Sequence, residues 1–413
     1  MRMCLPTLTA VLWIAATAEA DWPQFRGPTG QGISSARNVP IEWSNEKNVV
    51  WKQAIPGEGW SSPIVFGGRV YLTAAVRDEG SSENLSLQVL ALDAFSGQPL
   101  WQREVFSEPA GALPGIHSKN SQASPTPLVA DDRLYVHFGH LGTACLSLEG
   151  ALIWRNTELR YQPVHGNGGS PIVAGDGLVF SVDGQSERFV VSLDRRTGEV
   201  LWKTQRDEKP AKSFSFCTPL LIQVDGQQQI ISPGSGVVAA YDPPDGREIW
   251  KVRHDGYSVV PRPVYGHGLV YISTGYDSPV LLAIRPDGEG DVTDTHVAWS
   301  LRRGVPLTPS LLLAGDELYL MDDRGVATCL DAASGERHWQ QRIAGDYSSS
   351  PVLVEDRVYV QTERGKSVVF AAETRYRQLA TNELGERTLA SFAVTDGALF
   401  IRGDKHLYRI GNK

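Results

Sequence analysis

Cysteine is scarce in this chain. There are four in 413 residues, no two are adjacent, and none forms a Cys-x-x-Cys pair. Cys4 lies within the first twenty residues, which leaves Cys145, Cys217 and Cys329. An odd, widely spaced set excludes a disulfide framework, a zinc ribbon and an attached c-type haem. Long apolar runs are missing too. After residue 20 no stretch reaches the about 18 apolar residues that a membrane-spanning helix needs. Basic charge is not in excess: 39 Lys and Arg face 47 Asp and Glu, for a net charge of -8. A broad basic surface for nucleic acid is therefore excluded. The Ser-Pro phrases lack the Gly-x-Ser-x-Gly setting of a hydrolase nucleophile. Gly and Pro, 41 and 25 residues, are too few for collagen or disorder and suit a turn-rich β protein.

The first twenty residues read as a leader. Met1, Arg2 and Met3 give a short basic start, 8–16 is mostly apolar, and Ala18-Glu19-Ala20 has the small-x-small pattern of a cleavage site. The expectation is a secretory signal peptide over 1–20, cleaved after Ala20, with export to the periplasm or outside the cell. Residues 21–413 contain no linker and are expected to form one domain.

Tryptophan carries the main signal. It recurs at Trp51, Trp101, Trp154, Trp202, Trp250, Trp299 and Trp339, with spacings of 50, 53, 48, 48, 49 and 40 residues. Most of these residues end one phrase. It runs from Leu92-Asp93 through Gly97 to Trp101, from Leu193-Asp194 through Gly198 to Trp202, from Tyr241-Asp242 through Gly246 to Trp250, and from Leu330-Asp331 through Gly335 to Trp339. A strand, a tight turn with Asp and Gly, and a second strand fit that spacing. The Gly supplies a positive φ, and the Asp accepts hydrogen bonds from the turn amides. A second phrase precedes each copy: an apolar strand, a short turn and another apolar strand. Pro63, Pro127, Pro171, Pro219, Pro263, Pro309 and Pro351 begin seven copies, and Ser391-Phe392 begins the eighth.

Together the phrases make a four-stranded antiparallel unit of roughly 45–50 residues, the size of a propeller blade. The predicted fold is all-β: an eight-bladed propeller. Val49-Val50-Trp51 precedes the first inner hairpin and is expected to give the last blade its outer strand, closing the ring. The Trp rings are expected to dock over neighbouring blades as core. Cys145 and Cys329 fill a slot occupied elsewhere by Ala or Ser, so they are read as packing. Asp287, Asp291 and Asp294 are read as a solvated turn, and Asn84-Leu85-Ser86 is a glycosylation sequon by pattern.

At the Leu-Asp-x-x-Ser/Thr-Gly-x-x-x-Trp phrase the sequence resembles the PQQ-like β-propeller repeat family. The resemblance covers nearly all of 49–410. The family includes quinoprotein alcohol dehydrogenases, which hold pyrroloquinoline quinone and calcium. It also includes cofactor-free relatives such as the propeller lipoprotein of the outer-membrane β-barrel assembly machinery. The dehydrogenases carry adjacent cysteines in a vicinal disulfide and a Glu/Asn pair on calcium. Neither is matched here, so the resemblance leans to the cofactor-free members.

Strand order indicates which face to search. With strands A to D running outward from the axis, D–A connections and B–C loops share one face. The D–A connections are the longer and chemically richer ones. The site candidates are His117, Lys119, Asn120, His165, Asn167, Tyr257 and Arg262, expected around one mouth of the central channel. Two His, a Lys and an Arg there suit a small anion or a carboxylated ligand. B–C loop tips add Asp183, Gln185, Asp323, Arg324, Glu363, Arg364 and Lys405. The segment 103–122 is a candidate plug for that mouth.

The leading expectation is an exported binding or scaffolding module of the cell envelope. It has a protein partner or small ligand at the loop-rich face, no catalysis, no metal and no cofactor, and it is a monomer. The alternative is a quinone- and calcium-dependent oxidoreductase with its site at the channel mouth. A third reading, a hydrolase, requires two carboxylates across a cleft, with Asp183, Asp255, Asp323 and Asp346 as candidates.

Overall fold

The structure, a computed structural model, describes residues 20–77 and 84–412. The expected leader lies outside the described residues except for Ala20. Eight antiparallel sheets surround an axis, each with four strands that follow one another outward. Blade 1 is Ile64–Phe66, Arg69–Arg77, Asn84–Asp93 and Pro99–Pro109, here strands A to D. The innermost strands are short because neighbouring blades converge there. Their cores are the alternating Val, Leu, Ile and Tyr of strands A to C, which are almost fully buried.

Blade 8 is completed from the other end of the chain. Val49–Ala54 pairs with His406–Gly411, with Lys52 opposite Tyr408 and Gln53 opposite Leu407. This is the expected circular closure, and it leaves no sheet edge between first and last blades.

The repeat phrase has a mechanical reason. The Trp of one blade lies over the C–D turn of the next and donates its indole N–H to a carbonyl there. Trp101 donates to Leu148 O at 3.0 Å, and Trp154 to Arg195 O at 3.0 Å. The phrase Gly of that turn lies beneath the ring. Gly97 has φ +73°, and a Cβ on it would sit 2.6 Å from the Trp51 ring. Gly198 and Gly246 stand in the same relation to Trp154 and Trp202. The phrase Asp behaves as expected: Asp93 accepts from the amides of Phe95 and Ser96 at 3.0 and 2.7 Å.

Blade 5 breaks the pattern, because its C–D connection lacks the phrase. Trp250 donates instead to Gln229 at 2.9 Å, and Gln229 reaches Pro286 O at 3.1 Å. The acidic connection is more than a solvated turn. Gly290–Asp291 adds a fifth, parallel strand to the edge of blade 4, and Asp291 binds Arg253 at 2.8 Å.

The channel is filled from the A–B face by residues 21–37. The chain enters where Trp22 pairs with Val65 in both directions and turns back through Gly27 and Gly30. It leaves as Ile33–Ser34, parallel to Val352–Val354 of blade 7. Arg37 then exchanges hydrogen bonds with the A–B turn of blade 8. This segment, not 103–122, plugs the axis.

Candidate functional site

Above the plug, on the D–A face, lies a cavity of about 310 Å³. Its floor follows from the Ser-Pro phrases. In every blade but the fourth, the residue just before strand A donates its amide to the side chain of the equivalent residue in the next blade. Ser62 donates to Thr126, Thr126 to Ser170 and Ser170 to Thr218, at 3.0, 2.9 and 2.9 Å. On the other side Ser310 donates to Ser350, Ser350 to Ser391 and Ser391 to Ser62, at 3.0, 2.9 and 3.1 Å. Seven hydroxyls therefore ring the axis, tying blade to blade where strands are shortest. The eighth station, in blade 5, is Arg262.

Arg262 does not reach the mouth. It is buried, its amide donates to Ser310 at 3.0 Å, and its guanidinium donates to Pro219 O and to Phe25 O of the plug at 3.0 and 2.7 Å. Arg26, also buried, donates to Gln31 O and Leu311 O. Among the described residues neither has an ion-pair partner. Burial pushes both guanidinium groups down, Arg26 to about 9 and Arg262 to about 10, with Arg262 adding to the effect on Arg26. Phe25 at the tip of the plug forms part of the cavity floor.

The walls come from the D–A connections. His117, His165, Phe214 and Tyr257 each follow a different blade, and Tyr276 belongs to the B–C loop of blade 5. Their rings meet in sequence at 5.8, 5.2, 5.4 and 6.3 Å between centroids, mostly edge to face. The structure thus brings His117, Lys119, Asn120, His165 and Tyr257 to one cavity. Asn167 is elsewhere. It is buried behind the wall, accepting from Tyr161 OH at 2.6 Å and bonded to Phe138 O and His140. Trp60, Phe214 and Tyr276 line the cavity but were not among the sequence candidates. Phe214 belongs to the D–A connection after blade 3, and an apolar ring there carries no polar signal in the sequence. Arg262 could have been placed by aligning it with Ser62 and Ser350, since that position points at the axis in every blade.

Residues 113–122 lie across the rim rather than in the channel. Lys119 pairs with Glu363 of blade 7 at 2.6 Å, and Arg387 donates to Ser118 O at 2.8 Å while its guanidinium covers the Trp60 ring. His117 N and Asn120 Nδ2 bond to His165 O. Burial works against both charges of the Lys119–Glu363 pair. The pair nonetheless raises the ammonium's pKa, and Lys119 with Ser348 holds the carboxyl of Glu363 low.

No carboxylate lines the cavity. Asp183 is buried with Arg206 at 3.0 Å, and Asp323 accepts from the amides of Leu307 and Thr308 at 2.7 and 3.2 Å. Among the described residues no group of three or more His, Cys, Asp or Glu is placed to hold a metal ion, and Cys145, Cys217 and Cys329 are separate and buried. Among the described residues no helix is long and apolar enough to cross a membrane.

Comparison with known proteins agrees with this architecture. A family model described as outer membrane protein assembly factor BamB matches residues 33–205, 88–295 and 234–408. The outer membrane protein assembly factor BamB of Yersinia pestis is 25% identical over 246 residues, which is 54% of this chain and 58% of that protein. That of Burkholderia pseudomallei is 26% identical over 223 residues, 50% of this chain and 53% of that protein. The chain spans little more than half the length of these relatives. Among solved structures, BamB from Moraxella catarrhalis has a TM-score of 0.61 at 14% identity, covering 87% of this chain and 96% of that one. A europium-containing methanol dehydrogenase has a TM-score of 0.63 at 12% identity, covering 94% and 90%. At such identities these two likenesses concern the fold alone.

Proposed function

The chain belongs to the PQQ-like propeller family of the outer membrane assembly factor BamB, and from that premise we propose that it is a non-catalytic binding scaffold of the cell envelope. It docks a protein of the membrane-assembly apparatus on its D–A face. The observation that carries this reading is the family match, which runs from the plug to the closing blade. The geometry supports it. The A–B end of the channel is filled by residues 21–37. The D–A face carries long connections pinned across blades by Lys119–Glu363 and Arg387–Ser118. A surface held in place in this way loses less freedom when a partner docks. Residues 21–413 act as one domain and as a monomer.

The residues do not fit a calcium–quinone centre. Calcium takes about six to eight oxygen ligands, commonly carboxylates, and the cavity wall offers none. A tricarboxylate quinone needs cations in contact, and the one lining cation, Lys119, is already paired with Glu363. We derive no redox step here.

Export follows from the leader over 1–20. Cleavage after Ala20 leaves Asp21 as the first residue, its carboxylate accepting from Gly67 N at 3.1 Å. The test is a tagged full chain in its own cell. It should fractionate with the envelope, begin at Asp21, and cross-link from a photoreactive residue at Arg364 to a β-barrel assembly subunit. The same probe at Phe95, on the opposite face, should not cross-link. Retention in the cytoplasm, or dye reduction on adding quinone and calcium, would overturn the reading.

A further inference from the structure

The cavity's chemistry is specific enough to name a ligand class, independently of the protein-partner reading. We propose that it binds a single neutral sugar ring, its C–H face stacked on the arc His117–His165–Phe214–Tyr257–Tyr276 and its oxygens accepting from the hydroxyl floor.

The floor is a set of donors. Ser62, Thr126, Ser170, Thr218 and Ser391 each accept an amide from the neighbouring blade through their side-chain oxygen. None of these hydroxyls has an acceptor for its own proton among the described residues. A hydroxyl carries one proton and two lone pairs, so each still has a proton to donate, and all five line the cavity. Arg262, which donates to Phe25 O of the plug, and Arg26 do not line the cavity. Ser350 differs, because its hydroxyl donates to Ser310 at 3.0 Å.

The wall supplies a complementary surface. Successive rings meet nearly at right angles along its first three contacts, at 77°, 85° and 88°. Adjacent rings are therefore held edge to face. An aromatic face is electron-rich, and the C–H bonds on one side of a pyranose carry the opposite partial charge. A pyranose is apolar on its faces and rich in oxygen at its rim, as the site is aromatic on its side and hydroxylated at its base.

Charge and size narrow the class. A carboxylated or phosphorylated ligand would bury a full negative charge without a free cation in contact, which is unfavourable. The anion expected from sequence counted two His, a Lys and Arg262 at the mouth, and of these Arg262 is turned away to Pro219 O and Phe25 O. The volume of about 310 Å³ stands at the low end of the roughly 300–1,000 Å³ range of small-molecule sites, suited to one ring rather than an oligosaccharide.

The test uses the full mature chain with glucose, galactose and N-acetylglucosamine, and with glucuronate as the charged comparator. Saturation-transfer NMR should label ring C–H protons of at least one neutral sugar at millimolar concentration, with affinity above that for glucuronate. Phe214→Ala and Tyr257→Ala should each weaken binding at least about tenfold, with Phe214→Trp retaining it. If Phe214→Ala fails to fold, Tyr276→Leu at the blade 5 end of the arc reads the same loss. Absence of transfer from all three neutral sugars overturns the proposal. So does glucuronate binding more tightly than they do, or affinity unchanged in folded wall variants. Cross-linking from Arg364 does not depend on this cavity, so the two readings fail separately.

Discussion

Arg262 stands where seven other blades carry a hydroxyl, and it joins two systems that would otherwise be independent. Its backbone keeps the ring of amide-to-side-chain bonds running into Ser310, while its guanidinium holds the plug at Phe25. Arg262→Ser supplies an eighth hydroxyl and removes the tether. The expected result is amide exchange across 22–35 at least about tenfold faster and new chymotryptic cleavage after Phe25, with the blades still protected. Unchanged protection at 22–35 would refute the tether. Two buried histidines set the acid limit. Burial pushes His137 to about 3, with His140 contributing, and pushes His254 to about 4. In the unfolded chain both titrate near about 6.5. Below that pH the unfolded state takes up protons that the folded state does not. Stability is therefore full above about pH 6.5 and falls as pH drops toward the folded values. Urea midpoints should decline from pH 7 to pH 4.5, and His137→Gln with His254→Gln should flatten the slope.

At five of the seven outer Trp residues, Trp51, Trp101, Trp154, Trp202 and Trp299, blade-to-blade packing pairs the ring with the next blade's Gly. Trp101→Ala should destabilise by about 3–5 kcal/mol. Gly97→Ala adds a Cβ against the Trp51 ring at a positive φ, and should destabilise by about 1–3 kcal/mol beyond Gly175→Ala. Gly175 also has a positive φ, +58°, but its Cβ would meet nothing within 4 Å. Equal urea midpoints for the two glycine variants would show that the ring contact has no energetic role. These phrases are also why the fold was readable: most blades repeat Gly and Trp at fixed offsets, commonly with Asp before them, and the same offsets identify the turn, the contact and the neighbour. The D–A connections likewise located five of the seven candidate side chains at the cavity. The plug was not readable. Residues 21–37 repeat nothing, and their partners are scattered from Val65 of blade 1 to Asp396 of blade 8. Nor did sequence give side-chain direction, so Asn167 and Arg262 were expected at the mouth while one packs behind it and the other beneath it. The rim segment 113–122 is a separate element held by one ion pair, Lys119–Glu363, and by hydrogen bonds to Arg387 and His165. Glu363→Gln should speed exchange at 117–120 with little change in global stability, since a partly exposed pair contributes about 0–1 kcal/mol.

The ring as a whole depends on the seam in blade 8, where Val49–Ala54 meets His406–Gly411. The two ends of the described chain adjoin: Gly411 N bonds Asn48 O, and Asn412 bonds Asn38 O, both at 2.9 Å. Deleting 20–54 should abolish the cooperative unfolding transition. Restoring those residues after the C-terminus through a short linker should recover it, with a melting temperature within roughly 5 °C of the original by calorimetry. A permutant that stays unfolded would mean the early segment has a role beyond completing the sheet. The seam also sets a timetable. A ribosome delivers the strand at Val49 long before its mate at His406, so through most of synthesis that strand has no complement and the nascent seven-bladed arc is unlatched. Full protection of the chain must wait for its last dozen residues, and a truncation there should be as damaging to yield in the cell as one at the front.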